Sequence, residues 1–108
     1  MREIKAIIRP ERLSAVLSAL HTIPELPGVT ISTVRGLGRR FPIDVEQPFD
    51  EVEMAKLEIV VPAAIAPTVV QAIQLAAHTG RVGDGKVFVI PVESALRIRS
   101  GEHGVGVL

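Results

Sequence analysis

"EIKAIIRPERLSAVLSAL", residues 3 to 20, changes its hydrophobic period halfway along, and that change decides how the chain is built. From 3 to 9 the period is two: Ile4, Ala6 and Ile8 share one face and Lys5 and Ile7 the other, the pattern of a strand. Pro10 then sets the backbone for a first helical turn. Leu13, Val16, Leu17 and Leu20 follow at i, i+3, i+4 and i+7, which is one buried stripe of a helix.

Outward from this unit, Pro24, Pro27 and Gly28 mark a turn, and "VTISTVRGLG" at 29 to 38 is rich in β-branched residues and reads as a second strand. Residues 39 to 54, "RRFPIDVEQPFDEVEM", hold two prolines, mixed charge and no period, so a long loop is expected, of a length that is usually functional. "AKLEIVV" at 55 to 61 alternates Leu57, Ile59 and Val61 against Lys56, Glu58 and Val60, a third strand ended by Pro62. Ile65, Val69, Ile73 and Ala76 keep helical spacing, Pro67 is tolerable in the first turn, and Gly80 is placed as the C-terminal cap. "KVFVIPV" at 86 to 92 is a further strand, followed by "ESAL" as a turn or short helix and "RIR" at 97 to 99 as a final strand. The order βαββαβ plus a tail is that of an α+β, ferredoxin-like sandwich, an antiparallel sheet with both helices on one face. Its other face would still carry apolar side chains, and self-association is the simplest cover.

Composition narrows the function. The 108 residues, 47% of them hydrophobic, suit one compact domain spanning 1 to 108. No cysteine is present, which excludes disulfides and thiolate metal sites and fits a reducing cytoplasm. Arg2, Glu3 and Lys5 break up the first apolar residues, so no secretory signal is expected, and no apolar run reaches the ~18 residues of a membrane span. Zero formal net charge and three aromatics, all Phe, argue against an extended nucleic-acid surface.

"TGRVGDGK", residues 79 to 86, nearly matches a phosphate-binding G-x-x-x-x-G-K loop, but Val87 stands where the metal-binding Ser or Thr belongs. Such a loop leaves a strand and enters a helix, whereas this one leaves a helix and enters a strand, so the nucleotide-hydrolase reading fails on context. The bland alternative is a tight turn at Asp84 and Gly85 with Lys86 as an exposed strand residue. The chemical alternative is a nest: closely spaced glycines let backbone amides approach an anion, and Lys86 adds a point charge. Arg97 and Arg99 would point to one side of a strand, and Arg39 and Arg40 add positive charge beside Gly36 and Gly38.

The stretches "EIKAIIRPERL", "VTISTVRGLGR", "KLEIVVP", "HTGRVGDGKVFV" and "RIRSGE", in this order and spacing, resemble the nitrogen-regulatory PII signal-transduction family over almost the whole chain. The resemblance implies a cytoplasmic homotrimer that binds ATP or ADP, with AMP and accompanying Mg²⁺ admitted, in clefts between subunits. It implies a T-loop at about 37 to 55, a B-loop at 79 to 87 and a C-loop at 97 to 102. Carried over by position, Lys86, Arg97, Arg99 and Arg39 would contact phosphates, Gly83, Asp84 and Gly85 would form the B-loop contacts, and Ile7, Thr30, Gly36, Gly38 and Val60 would surround the nucleotide. The T-loop, through Arg40, Phe41, Asp44, Glu46, Phe49 and Asp50, would meet a regulated partner, a membrane transporter or an enzyme.

Two departures bear on signalling. Family members that sense 2-oxoglutarate hold Mg²⁺ with a Gln at the T-loop base and use a Lys near its far end; Arg40 and Met54 stand there in this chain. An arginine has donors only and cannot ligate Mg²⁺ as an amide oxygen does. Residues 39 to 54 contain no Tyr, Ser or Thr, so uridylylation or phosphorylation of this loop is chemically excluded. A slow ATP hydrolase and a metal-binding trimer are the alternative classes. The first lacks an evident general base, and the second would have to gather His21, His78 and His103, two of which fall at helix C-termini for ordinary electrostatic reasons.

Overall fold

The computed structural model describes residues 1 to 40 and 42 to 108. Four strands and two helices follow in the order β1 (Arg2–Ile8), α1 (Leu13–His21), β2 (Thr30–Arg39), β3 (Phe49–Val61), α2 (Ala66–Ala77) and β4 (Gly85–Pro91). The strands lie in the order β2-β3-β1-β4, each antiparallel to its neighbour. This is the ferredoxin-like sandwich expected from the periods. Pro91 closes an edge strand, where a missing N–H can face away from the ladder.

One face of the sheet makes the core. Ile4, Ala6 and Ile8 of β1 and Leu57, Ile59 and Val61 of β3 meet Val16 and Leu20 of α1 and Val69, Ile73 and Ala77 of α2, all essentially buried. Pro10 opens a 3-10 turn over Pro10–Arg12 that leads into α1, and Pro67 sits in the first turn of α2, where no amide partner is lost. Arg12 reaches across from that turn and donates through Nε at 2.9 Å, with Nη2 alongside, to the carbonyl of Ala76. The last carbonyls of a helix have no partner within it, so this contact completes the end of α2 and pins the two helices together.

The open face alternates with the core face by the period of two. Ile7, Val34, Val60 and Ile90 lie there, half buried, around a charged patch of Glu3, Lys5, Lys56 and Glu58, with Phe88 exposed. Lys56 and Glu58 stand 3.4 Å apart, and hydrogen bonding with Glu3 followed by the Lys56 charge holds the Glu58 carboxyl below its ordinary range.

Three expectations need correction. The segment 39 to 54 is not irregular throughout: β2 and β3 continue their ladder as far as Arg39 opposite Phe49, so the connection is confined to 40 to 48. β1 accompanies β3 no further than Ala55 opposite Ile8, so the outer half of this ribbon stands as two strands alone. The radius of gyration, 16.0 Å against about 13 Å for a compact chain of this length, records the projection. Second, "RIR" is no strand. Residues 98 to 100 form a turn closed by a single bridge between Leu96 and His103, and "ESAL" adopts neither helix nor hydrogen-bonded turn. Arg97 and Arg99 therefore do not share a side by strand alternation. Third, α2 ends at Ala77 with His78 extended at the cap, and Gly80, at φ 86°, belongs to the loop beyond.

Candidate functional site

The glycine loop between α2 and β4 is built around one carboxylate. Asp84 accepts from the Thr79 and Gly80 amides at 2.8 and 3.0 Å, from the Thr79 hydroxyl, and from Nε of Arg9 at 3.0 Å. The Thr79 hydroxyl and amide, with lesser help from Arg9 and the Gly80 amide, hold its carboxyl well below the usual range against the opposing effect of burial. Asp84 thus organises the loop from within. Arg9 was not among the residues expected to matter, yet its Nη2 also donates to the Val82 carbonyl at 2.6 Å. The available signal was its place at the end of a strand before proline, which keeps Arg9 extended (φ −62°, ψ 136°).

Gly85 joins this loop to the sheet. It sits at φ 101° opposite Ile8, and a Cβ there would stand 1.8 Å from the carbonyl oxygen of Ile7. No other residue fits without moving a strand. Lys86 follows directly and lies opposite Ile7 in the ladder, on the open face, in the same row as Lys56 on the far side of β1. A cavity of about 290 Å³ opens beside the loop, against α2, lined by Ile73, Gln74, Ala77 and His78 on one side and Asp84, Lys86 and Val87 on the other.

Other expected residues lie apart within the protomer. Val60 pairs with Glu3, four residues from Ile7 along β1, so roughly 13 Å away at strand rise. Thr30 pairs with Glu58. Gly36, Gly38 and Arg39 lie out on the ribbon, with Arg39 seven positions beyond Ser32, which shares the row of Ile7, or about 23 Å. Arg39 covers the Phe49 ring at 5.8 Å. The turn bearing Arg97 and Arg99 is reached from the end of β4 remote from the glycine loop, and among the described residues no hydrogen bond or ion pair joins the two. Arg97 instead donates its amide to the Glu102 carbonyl at 2.9 Å and its guanidinium to that of Gly106 at 3.4 Å.

At the ribbon tip Arg40 is held by its neighbours. Its Nε and Nη2 reach one oxygen of Asp50 at 2.9 and 2.8 Å, Asp44 stands 3.6 Å away, and its amide donates to the Pro48 carbonyl at 2.9 Å. Asp44 in turn accepts from the Glu46 and Gln47 amides at 3.0 and 3.3 Å. Arg40, Asp44 and Asp50 therefore close the connection on itself, while Ile43 and Val45 face outward, Val45 91% exposed. Phe41 lies outside the described residues. Among those described, no three His, Cys, Asp or Glu residues gather as metal ligands, and no helix is long and apolar enough to cross a membrane.

Comparison with known proteins agrees with this architecture. The family model for nitrogen regulatory protein P-II matches residues 1–102. The chain is 41% identical over 109 residues to the nitrogen regulatory protein P-II of Azospirillum brasilense, covering 96% of each. It is 42% identical over 109 residues to nitrogen regulatory protein P-II 2 of Methanothermobacter thermautotrophicus, covering 96% of this chain and 94% of that one. Among solved structures it is similar to Arabidopsis thaliana PII bound to citrate, with a TM-score of 0.83 and 41% identity over 99% of this chain and 91% of the other. The chain belongs to the nitrogen regulatory protein P-II family, whose members are regulators.

Proposed function

We propose that this P-II family member is a trimeric cytoplasmic regulator that binds ATP or ADP between subunits, and that the occupied site sets the state of the β2–β3 ribbon, which meets a transporter or an enzyme. The observation that carries the reading is how the cationic and backbone groups are distributed. Lys86 and the glycine loop lie at one end of the sheet, while Val60 and the chain leading to Arg97 and Arg99 lie at the other. Groups split in this way can converge on one polyphosphate only if the second half comes from a neighbouring copy. The half-buried apolar residues of the open face supply a reason for copies to associate. The citrate on the Arabidopsis relative is a polyanion, in keeping with an anion site in the same fold.

The ribbon is suited to signalling because two strands alone are marginally stable in water. A ligand can shift such an element only by binding one of its states better. Arg39, free of carboxylates among the described ion pairs and resting on Phe49, is the group placed to make that difference. Arg40 is engaged by Asp44 and Asp50 and offers no oxygen, so the residues present do not fit the Mg²⁺ and 2-oxoglutarate site of the family's sensors. Mg²⁺ would accompany the phosphates alone.

Calorimetry with ATP, ADP and AMP, each with and without 2-oxoglutarate, tests the proposal. ATP or ADP binding that weakens about ten- to a hundredfold in Lys86→Ala or Arg99→Ala, the loss of one charge-assisted contact, with the trimer intact, is expected. Absence of binding by every nucleotide overturns it, and 2-oxoglutarate binding dependent on Mg-ATP overturns the account of Arg40.

A further inference from the structure

The amides of the glycine loop do not all face the same way. Thr79 and Gly80 direct theirs at Asp84, and Arg81 donates to the Thr79 hydroxyl at 3.2 Å, so these three are engaged within the loop. The peptide joining Val82 to Gly83 is different, because its carbonyl accepts from Nη2 of Arg9. A trans peptide is planar, with C=O and N–H pointing in opposite directions. Holding the Val82 carbonyl toward the end of β1 therefore turns the Gly83 N–H away from the protein, and among the described residues that N–H makes no hydrogen bond. The same guanidinium lies 3.3 Å from where a Cβ of Gly83 would stand, so residue and arm are in close contact.

Arg9 is itself firmly placed. Pro10 confines it to an extended backbone, Asp84 pairs with its Nε, and its side chain is only 20% exposed. We propose that Arg9 is the positioning residue of the loop: anchored on Asp84, it aims the Gly83 amide outward as a donor for an anionic oxygen of the ligand. This rests on the reading of the loop as an anion site. It goes further by assigning the aim of the donor to a residue that does not touch the ligand.

The test is titration of the intact assembly with ADP and with inorganic pyrophosphate, alongside the ¹H–¹⁵N resonance of Gly83. Arg9→Ala and Asp84→Asn should each weaken binding about tenfold, and the double variant by little more than either, because both break the same device. Arg9→Lys should recover only part of the loss, since an ammonium lacks the fork that reaches Asp84 and the Val82 carbonyl together. The Gly83 amide should shift on ADP addition in the wild type and much less in Arg9→Ala. Losses that multiply to about a hundredfold in the double variant would mean that Arg9 contacts the ligand itself, which overturns positioning. Wild-type affinity in Arg9→Ala and Arg9→Lys, with binding lost in Lys86→Ala, overturns the role of Arg9 and leaves the anion site standing. Lack of binding by the wild type overturns the site and this role with it. Thermal midpoints report folding, and Arg9→Lys, which keeps the charge, carries the test should Arg9→Ala fail to fold.

Discussion

Gly85→Ala probes the junction of loop and sheet most directly. A Cβ at this position meets the Ile7 carbonyl oxygen at 1.8 Å and its carbon at 2.8 Å, both backbone atoms of the neighbouring strand. Carbon and carbonyl oxygen approach no closer than about 3.3 Å in ordinary contacts, so β1 and the start of β4 must part by more than an ångström. Left-handed backbone at φ 101° costs an alanine about 1–2 kcal/mol, and each ladder hydrogen bond lost there adds about 1 kcal/mol. A total of about 3–5 kcal/mol places the change at the upper end of single substitutions, and for a chain of this size it lowers the melting midpoint by about 12–20 °C. Gly101→Ala is the control: its φ is 73° and nothing lies within 4 Å of the new Cβ, so it bears the backbone cost alone. Urea and thermal denaturation followed by circular dichroism, at one fixed protein concentration because association contributes to stability, measures both. A Gly85→Ala protein within about 1 kcal/mol of Gly101→Ala would refute the reasoning, because the clash would then be relieved without cost.

Three further outcomes follow from the geometry. The folded-state pKa of Asp84 lies below its unfolded value, so its contribution to stability is present above about pH 4 and is lost as the pH falls through the folded value. Asp84→Asn should flatten that acid slope in urea midpoints taken between pH 5 and about pH 2, and an unchanged slope would contradict the assignment. Arg40→Ala removes exposed ion pairs worth about 0–1 kcal/mol. It should therefore leave the global unfolding midpoint nearly unchanged while speeding proteolysis within 40 to 48, and unaltered cleavage would mean that the clamp does not hold the tip. Ile73→Ala empties a fully buried site between α2 and the sheet and should cost about 2–5 kcal/mol in urea unfolding, a loss too large to coexist with a loosely packed core.

Most of the fold was legible in the sequence, because burial imposes a period. Ile4, Ala6 and Ile8 alternate, and Val16 with Leu20 and Val69 with Ile73 repeat every four residues, since strands and helices present one face to one core. The ribbon was not legible. Beyond Met54 and Val34 both of its faces meet solvent, so no apolar alternation marks the strands, and Pro42 and Pro48 in the connection made the whole of 39 to 54 look irregular. The "RIR" segment misled in the opposite sense. Its apolar and basic residues alternate, but Gly101 returns an amide to the Arg97 carbonyl at 2.8 Å and closes a turn where a strand was expected.

By itself the sequence determined the element order, the buried faces of β1, β3 and the two helices, and the glycine spacing of the loop, because these follow from local periodicity and from backbone conformations that only glycine takes up readily. It also determined that no hydroxyl in residues 39 to 54 can be modified. The tertiary structure decided what those residues do together. It turned Asp84 inward, brought Arg9 across 75 positions to meet it, and placed Lys86 at the opposite end of the sheet from Val60. Such pairings depend on strand register and on where the chain returns in space, and no local pattern encodes a contact between residues so far apart.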